Sequence, residues 1–190
     1  MNKNIILCGV GGQGTVLASR LLATAAIGLG LPVLSAETIG MAQRGGSVIS
    51  HIRIGDEARS PMIAQGTADL IIGFEPGEAV RQLDFLKTSG AVVVSSRPVM
   101  PVSALTGGAP YKPDAMLRYL EEYGCRLTVV DAVLAAKELG SDKTLNVVLL
   151  GAAAKSGELG FGEEDLERAV RERVPERYQE LNLRALSWFT

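Results

Sequence analysis

The segment that most constrains this chain lies at its start. Ile5-Ile6-Leu7-Cys8-Gly9 is an unbroken apolar run that ends in Gly9-Val10-Gly11-Gly12-Gln13-Gly14, after which Leu17, Leu21, Leu22 and Ala25 recur at helical spacing. Continuous rather than alternating apolar character marks a strand covered on both faces, as in a parallel sheet. Gly28 and Gly30, just before Pro32, end the helix that follows. A strand, a glycine-rich turn and a helix in that order open an α/β sheet, and the turn brings backbone close to an anion or to a packed neighbour.

The remaining chain repeats the alternation. Val33-Leu34-Ser35 reads as a short strand, and Glu37 to Gly46 as a loop or short helix. Ser47 to Ile54 alternates, with Val48, Ser50, Ile52 and Ile54 on one side and Ile49, His51 and Arg53 on the other. That pattern predicts a strand with one wetter face, antiparallel or near an edge, turning at Gly55-Asp56. Pro61-Met62-Ile63 reads as a short return strand. Asp69 to Phe74 and Ala91 to Ser95 are buried-strand runs, with a helix from Pro76 to Leu86 between them. Pro98 to Pro113 carries four prolines and Gly107-Gly108 and reads as a surface loop. Helices are predicted over Ala115–Tyr123, Ala132–Leu139, Asn146–Lys155, Glu163–Arg173 and Pro175–Trp188, with a strand at Leu127–Val130. The expected fold is a Rossmann-like, three-layer, doubly wound and mostly parallel sheet with an antiparallel edge, one domain over residues 1–190.

Composition removes several classes of function. The net charge is 19 − 21 = −2, so no global positive field recruits nucleic acid or an acidic membrane. The start enters a strand without the basic region and long apolar stretch of an export signal, and no apolar run spans a bilayer, so a cytoplasmic location is expected. Cys8 and Cys125 are isolated and there is one histidine, so no metal-ligand set is evident. An iron–sulfur cluster takes about four cysteines.

Gly9 to Gly14 matches GxGxxG directly between a strand and a helix, where free N–H groups and the helix dipole favour a phosphate. Glu37 lies near the distance at which a dinucleotide fold places its ribose-binding acid. An ATP-binding P-loop fits less well, because Thr15 follows Gly14 where lysine belongs. The same glycines also suit strand–helix packing alone. On residues alone a stand-alone NAD-dependent Rossmann oxidoreductase and a nucleotide-sensing module remain open. His51 reads as a histidine satisfied within the sheet, Arg53 as a structural or interface charge, and Glu75-Pro76-Gly77-Glu78 as an ordinary acidic helix start.

The second unusual segment is Gly40-Met41-Ala42-Gln43-Arg44-Gly45-Gly46-Ser47, just before the strand with His51 and Arg53. Such a loop can present Arg44 to an anion or lay backbone flat against another subunit. Gly9-Val10-Gly11-Gly12-Gln13-Gly14, then Gly40 to Val48, then His51-Ile52-Arg53 closely resemble the γ-type subunits of 2-oxoacid:ferredoxin oxidoreductases. The Met-Ala-Gln-Arg-Gly-Gly form of the loop is most like the small β subunits of the indolepyruvate type, and the likeness runs into the C-terminal helices through Val174-Pro175-Glu176 and Glu180 to Leu183.

That resemblance implies an oxidoreductase subunit of anaerobic metabolism, within a hetero-oligomer. The reaction would convert an arylpyruvate, coenzyme A and oxidised ferredoxin to acyl-CoA, CO₂ and reduced ferredoxin. Thiamine diphosphate and [4Fe-4S] clusters would belong to a large partner, since this chain shows no cluster cysteines, and Gly55-Asp56 is followed by Glu57 rather than by the glycine of a thiamine-diphosphate motif. The isolated chain would bind no cofactor and be inactive, with no catalytic residue of its own. By the same resemblance Gly11, Gly12, Gln13, Gly14 and Thr15 become the expected cradle for a coenzyme A phosphate. Met41, Gln43, Arg44, Gly45 and Gly46 become the expected partner contact or active-site wall.

Overall fold

The computed structural model describes residues 1–39, 45–100 and 110–189. Its strands are β1 (Lys3–Val10), β2 (Val33–Ile39), β3 (Ser47–Ile54), β4 (Ala68–Gly73), β5 (Leu86–Ser95) and β6 (Arg126–Val130), joined in one sheet of order β2-β3-β1-β4-β5-β6. Among the described residues the helices are α1 (Thr15–Gly28), α2 (Pro76–Arg81), α3 (Pro113–Glu122), α4 (Ala132–Leu139), α5 (Leu145–Lys155), α6 (Glu163–Arg173) and α7 (Glu176–Leu186). Single 3-10 turns occupy Leu83–Phe85 and Asp142–Thr144.

β1, β4, β5 and β6 are parallel neighbours, whereas β3 runs antiparallel to both β1 and β2. The expected α/β class and its antiparallel edge are therefore both present. Successive residues of β1 serve opposite faces. Ile5 and Leu7 join α1, α5, α6 and α7 in the larger core, while Ile6 and Cys8 join Ala79 of α2 and Leu120 of α3 in the smaller one. α5 has no polar face because it lies inside the thicker layer, with Leu145 to Ala153 all buried. Gly151 lets it lie directly on the end of α7, since a Cβ there would stand 1.9 Å from the Leu186 carbonyl oxygen.

Local reading failed in three places, two of them overridden by pairing with another strand. β2 continues past Ser35 to Ile39 because every one of its residues pairs with β3; as the edge strand it carries Ser35, Glu37 and Thr38 in solvent, which hides its alternation. Residues 61 and 62 form a bend rather than a return strand, although Ile63 is buried. The expected helix from Pro76 to Leu86 stops at Arg81, and Leu86 instead opens β5 opposite Ala68.

Candidate functional site

The glycine-rich turn leaves β1 at the carboxyl edge of its parallel neighbours, where open α/β sheets bind ligands. Gly9 has no room for a side chain: a Cβ would come within 2.8 Å of both Gln13 Oε1 and Phe74 Cβ. The space is taken by the Gln13 carboxamide. Its Oε1 accepts from the Val10 N–H (2.7 Å) and its Nε2 donates to the Phe74 carbonyl (2.9 Å), tying the turn to the end of β4. The Gln13 N–H is also engaged, on the Val10 carbonyl (3.1 Å). Gln13 thus shapes the turn, and neither its amide N–H nor its side chain is free to hold a ligand. Gly14 caps α1 in the left-handed region (φ 84°), which a residue with a Cβ adopts only under strain.

The donors that stay free are backbone ones. The N–H groups of Gly12 and Gly14, and of Thr15, Val16 and Leu17 in the first turn of α1, bond to no described residue. α5 also begins beside this turn, and neither α1 nor α5 carries an acid in its first turn. α2, α3, α6 and α7 do, and α4 does not. The positive end of α1 is left for an external anion, whereas α5 continues from a 3-10 turn that opens with Asp142.

The second motif meets the first here. The Gly11 N–H donates to the Gly46 carbonyl (2.8 Å), and the Gly45 N–H approaches the Gly11 carbonyl (3.5 Å). Of the residues expected to form the partner-facing wall, Gly45 and Gly46 therefore border the cradle. Met41, Gln43 and Arg44 lie outside the described residues.

A cleft of ≈ 520 Å³ opens over the turn, lined by Gly12, Gly14 and Leu17 on one side and by Arg97, Lys143 and Asn146 on the other. Arg97 reaches the exposed Asp142 at the rim (3.4 Å), and Lys143 has no ion pair among the described residues. Asn146, at the start of α5, is only 3% exposed, and its Oδ1 has no hydrogen-bond partner among the described residues. Its amide packs against Gly14, where a Cβ would sit 2.8 Å from Asn146 Nδ2. An unpaired buried acceptor costs about 1–3 kcal/mol. Sequence reasoning missed Arg97, Lys143 and Asn146; the available signal was one polar side chain at the head of an otherwise apolar helix.

On the other flank of the turn lies an acidic corner. Glu75 and Glu78 are 3% and 5% exposed at the start of α2. Glu75 Oε2 accepts from the Glu78 N–H (3.0 Å), and its Oε1 accepts from the Tyr111 hydroxyl, which itself accepts from the Gly77 N–H (3.1 Å). Glu78 accepts from the Ser47 hydroxyl (2.6 Å) and pairs with Arg81. Burial, then the bond to Glu75, raise the Tyr111 hydroxyl above its ordinary pKa. Cys8 lies below, its thiol pushed well up by burial and further by Glu78 and Glu75, which makes it an inert packing group.

The other residues singled out in the sequence are structural. His51 accepts the Ile63 N–H at Nδ1 (3.3 Å) and meets the Phe85 ring edge-on. Arg53 donates to Asn4 Oδ1 (2.9 Å) and the Ser60 carbonyl (3.0 Å). Gly55-Asp56-Glu57 turns at the far end of β3, on the edge of the sheet opposite the glycine turn. Glu37 is exposed on β2, and β3 lies between β2 and β1. The Glu37 carboxylate accepts from the Ser19 hydroxyl of α1 (3.4 Å).

A mixed α/β sheet with this glycine turn at its carboxyl edge, hydrogen-bonded to a second glycine pair, defines a class, and sequence comparison agrees. The chain belongs to the pyruvate ferredoxin/flavodoxin oxidoreductase family, whose profile matches residues 4–187. It is 42% identical over 187 residues to the indolepyruvate oxidoreductase subunit IorB of Archaeoglobus fulgidus, covering 98% of this chain and 92% of that protein. To the subunit of the same name from Thermococcus kodakarensis it is 40% identical, covering 96% and 91%. Among solved structures, the gamma subunit of the keto/oxoacid ferredoxin oxidoreductase from Geobacter sulfurreducens is similar with a TM-score of 0.67 at 27% identity, over 97% of this chain and 94% of that one. A further likeness, with a TM-score of 0.72 at 26% identity, is to the 2-oxoglutarate:ferredoxin oxidoreductase of Magnetococcus marinus, solved with 2-oxoglutarate, coenzyme A and succinyl-CoA bound. That match covers 98% of this chain and 30% of the other.

Proposed function

We propose that the chain is the small subunit of a heteromeric, cytoplasmic 2-oxoacid:ferredoxin oxidoreductase of the indolepyruvate type. The observation that carries this reading is the 38–42% identity to indolepyruvate oxidoreductase subunits over nearly their whole length. The enzyme would oxidise an arylpyruvate with coenzyme A and ferredoxin to acyl-CoA and CO₂. Thiamine diphosphate and [4Fe-4S] clusters supply the decarboxylation and electron transfer and belong to the large partner. This chain does not fit them: Cys8 is buried and inert, and no group of three or more histidine, cysteine or acidic side chains converges among the described residues.

What this chain contributes is a grip on coenzyme A and a wall of the closed site. The free N–H groups of Gly12, Gly14 and the first turn of α1 hold a coenzyme A phosphate, with Arg97 and Lys143 balancing its charge. Gly11 and Gln13 fix the shape of the turn, and Gly45 and Gly46 would meet the partner. The test is reconstitution. Arylpyruvate-dependent ferredoxin reduction is expected from the two-subunit enzyme with coenzyme A and from neither subunit alone. Full turnover by the large subunit without this chain would overturn the reading.

A further inference from the structure

The two edges of the sheet are finished differently. β2 follows Pro32 and carries Ser35, Glu37 and Thr38 in solvent, a polar and charged finish that keeps an edge strand unpaired. β6 has no proline and no bulge. Its one charge stands at its first residue, where Arg126 is tied to Glu158 and to the Ser89 carbonyl (2.7 Å). Val129 is exposed, and so are Val133 and Leu134 in the first turn of α4, just past the strand. An apolar edge of this kind is a template for another strand.

The pairing with β5 fixes which backbone groups stay open. The Ser96 N–H donates to the Val130 carbonyl (2.9 Å), and the in-plane direction of these groups alternates along a strand. Arg126, Thr128 and Val130 therefore face β5. The N–H and carbonyl of Leu127 and of Val129 face outward and bond to no described residue. These open groups are symmetric about Thr128. In an antiparallel pair turned about that residue, Leu127 stands opposite Val129 of the second copy and exchanges both hydrogen bonds with it. Val129 does the same with Leu127, so every open group of the strand is paired. Both side chains lie on one face of the sheet, and apolar meets apolar. The charges agree as well, because the strand opens on Arg126 and is followed by Asp131. Antiparallel pairing sets each cation beside the other copy's carboxylate, whereas a parallel pair in register would set like beside like.

We propose that β6 is an interface strand on which a second copy of this chain docks, antiparallel about a two-fold axis at Thr128, so that the two six-stranded sheets become one. β6 lies at the opposite edge from β2 and β3, so this contact leaves Gly45 and Gly46 free for the large partner. The inference stands apart from the coenzyme A reading.

The test uses the full chain and the two-subunit enzyme. Thr128→Cys in a Cys125→Ser background sets two Cα atoms about 4.5 Å apart across the axis, within disulfide reach, while Cys8 stays buried. Mild oxidation is expected to join two copies of this chain at residue 128, read by peptide mass spectrometry. Ser35→Cys, on the other edge and in the same background, is expected to join none. In sedimentation at about 100 μM the parent chain is expected to be dimeric, and Val129→Lys to raise the dimer dissociation constant about tenfold or more with an unchanged circular dichroism spectrum. A monomeric parent, a dimer that Val129→Lys leaves unaltered, or residue 128 cross-linked only to the large subunit would overturn the proposal. None of these readouts needs coenzyme A or turnover, so such a failure would leave the proposed function standing.

Discussion

The two flanks of the glycine turn hold polar residues of similar number and opposite fate. In the acidic corner every carboxylate oxygen has a partner, the space between the groups is ≈ 70 Å³, and the chain closes on itself through Tyr111 and Ser47. In the cleft on the other side, five backbone N–H groups and Lys143 border ≈ 520 Å³ with no described partner. Burial and charge alone would nominate the acidic corner as the site. Hydrogen-bond satisfaction reverses that choice, because the corner's carboxylates are all paired whereas the donors beside the cleft are open. Substitutions on the two flanks should therefore separate stability from binding.

The largest effect is expected from Glu75→Ala. It removes the cap of α2 and strands the Tyr111 hydroxyl and Glu78 N–H, a combined loss of about 2–4 kcal/mol in unfolding by urea. In enzyme that still folds, the KM for coenzyme A should stay within about threefold of the parent. A KM that rises more than tenfold at unchanged stability would exchange the roles of the two flanks. Next comes Gly14→Ala, which forces a Cβ into a left-handed position against Asn146 Nδ2. A loss of about 1–2 kcal/mol is expected, with at least a tenfold rise in KM for coenzyme A as the first turn of α1 shifts. Loss of stability with no change in KM would mean that the turn serves packing alone.

The division between flanks explains how much the sequence disclosed. β1, its turn and α1 were legible because one uninterrupted run of local signals specifies them: continuous apolar residues, then glycines, then helical spacing. The antiparallel edge was legible from the alternation of Ser47 to Ile54. The extension of β2 to Ile39 and the place of Leu86 depend on partners in other strands, Val48 to His51 in one case and Ala68 in the other. The same holds within the site. Gly12 and Gly14 sit in a recognisable motif, but Arg97 arrives from beyond β5 and Lys143 and Asn146 from the start of α5, and nothing near them in sequence marks them as neighbours of residue 14. Gln13 shows the converse. The motif admits it to the cradle, yet only coordinates reveal that its side chain is tied to Val10 and Phe74.

Arg97→Gln and Lys143→Gln should have a smaller effect, confined to binding. Arg97 is exposed and its pair with Asp142 is long, so stability should change by less than about 0.5 kcal/mol. The KM for coenzyme A should rise by about three- to tenfold, less at high salt as the lost attraction is screened in the parent. A change in kcat with unaltered KM would instead place these cations at the chemistry.

The smallest expected effect lies in the satisfied class of polar groups and concerns His51. Burial lowers its pKa in the folded chain, and its Nδ1 accepts the Ile63 N–H only while unprotonated. The unfolded chain takes up a proton as pH falls through about 6.5, whereas the folded chain resists. Stability from this residue is therefore fully present above about pH 6.5 and is lost as pH falls through the lower, folded value. Urea midpoints at pH 7.5 and 5.5 should show the parent less stable at the lower pH. His51→Gln, which keeps an acceptor for Ile63 and cannot titrate, should show a shallower difference. A parent more stable at pH 5.5, or an unaltered slope in the variant, would remove His51 from the satisfied class, and with it the rule that buried polar groups outside the cleft belong to the fold.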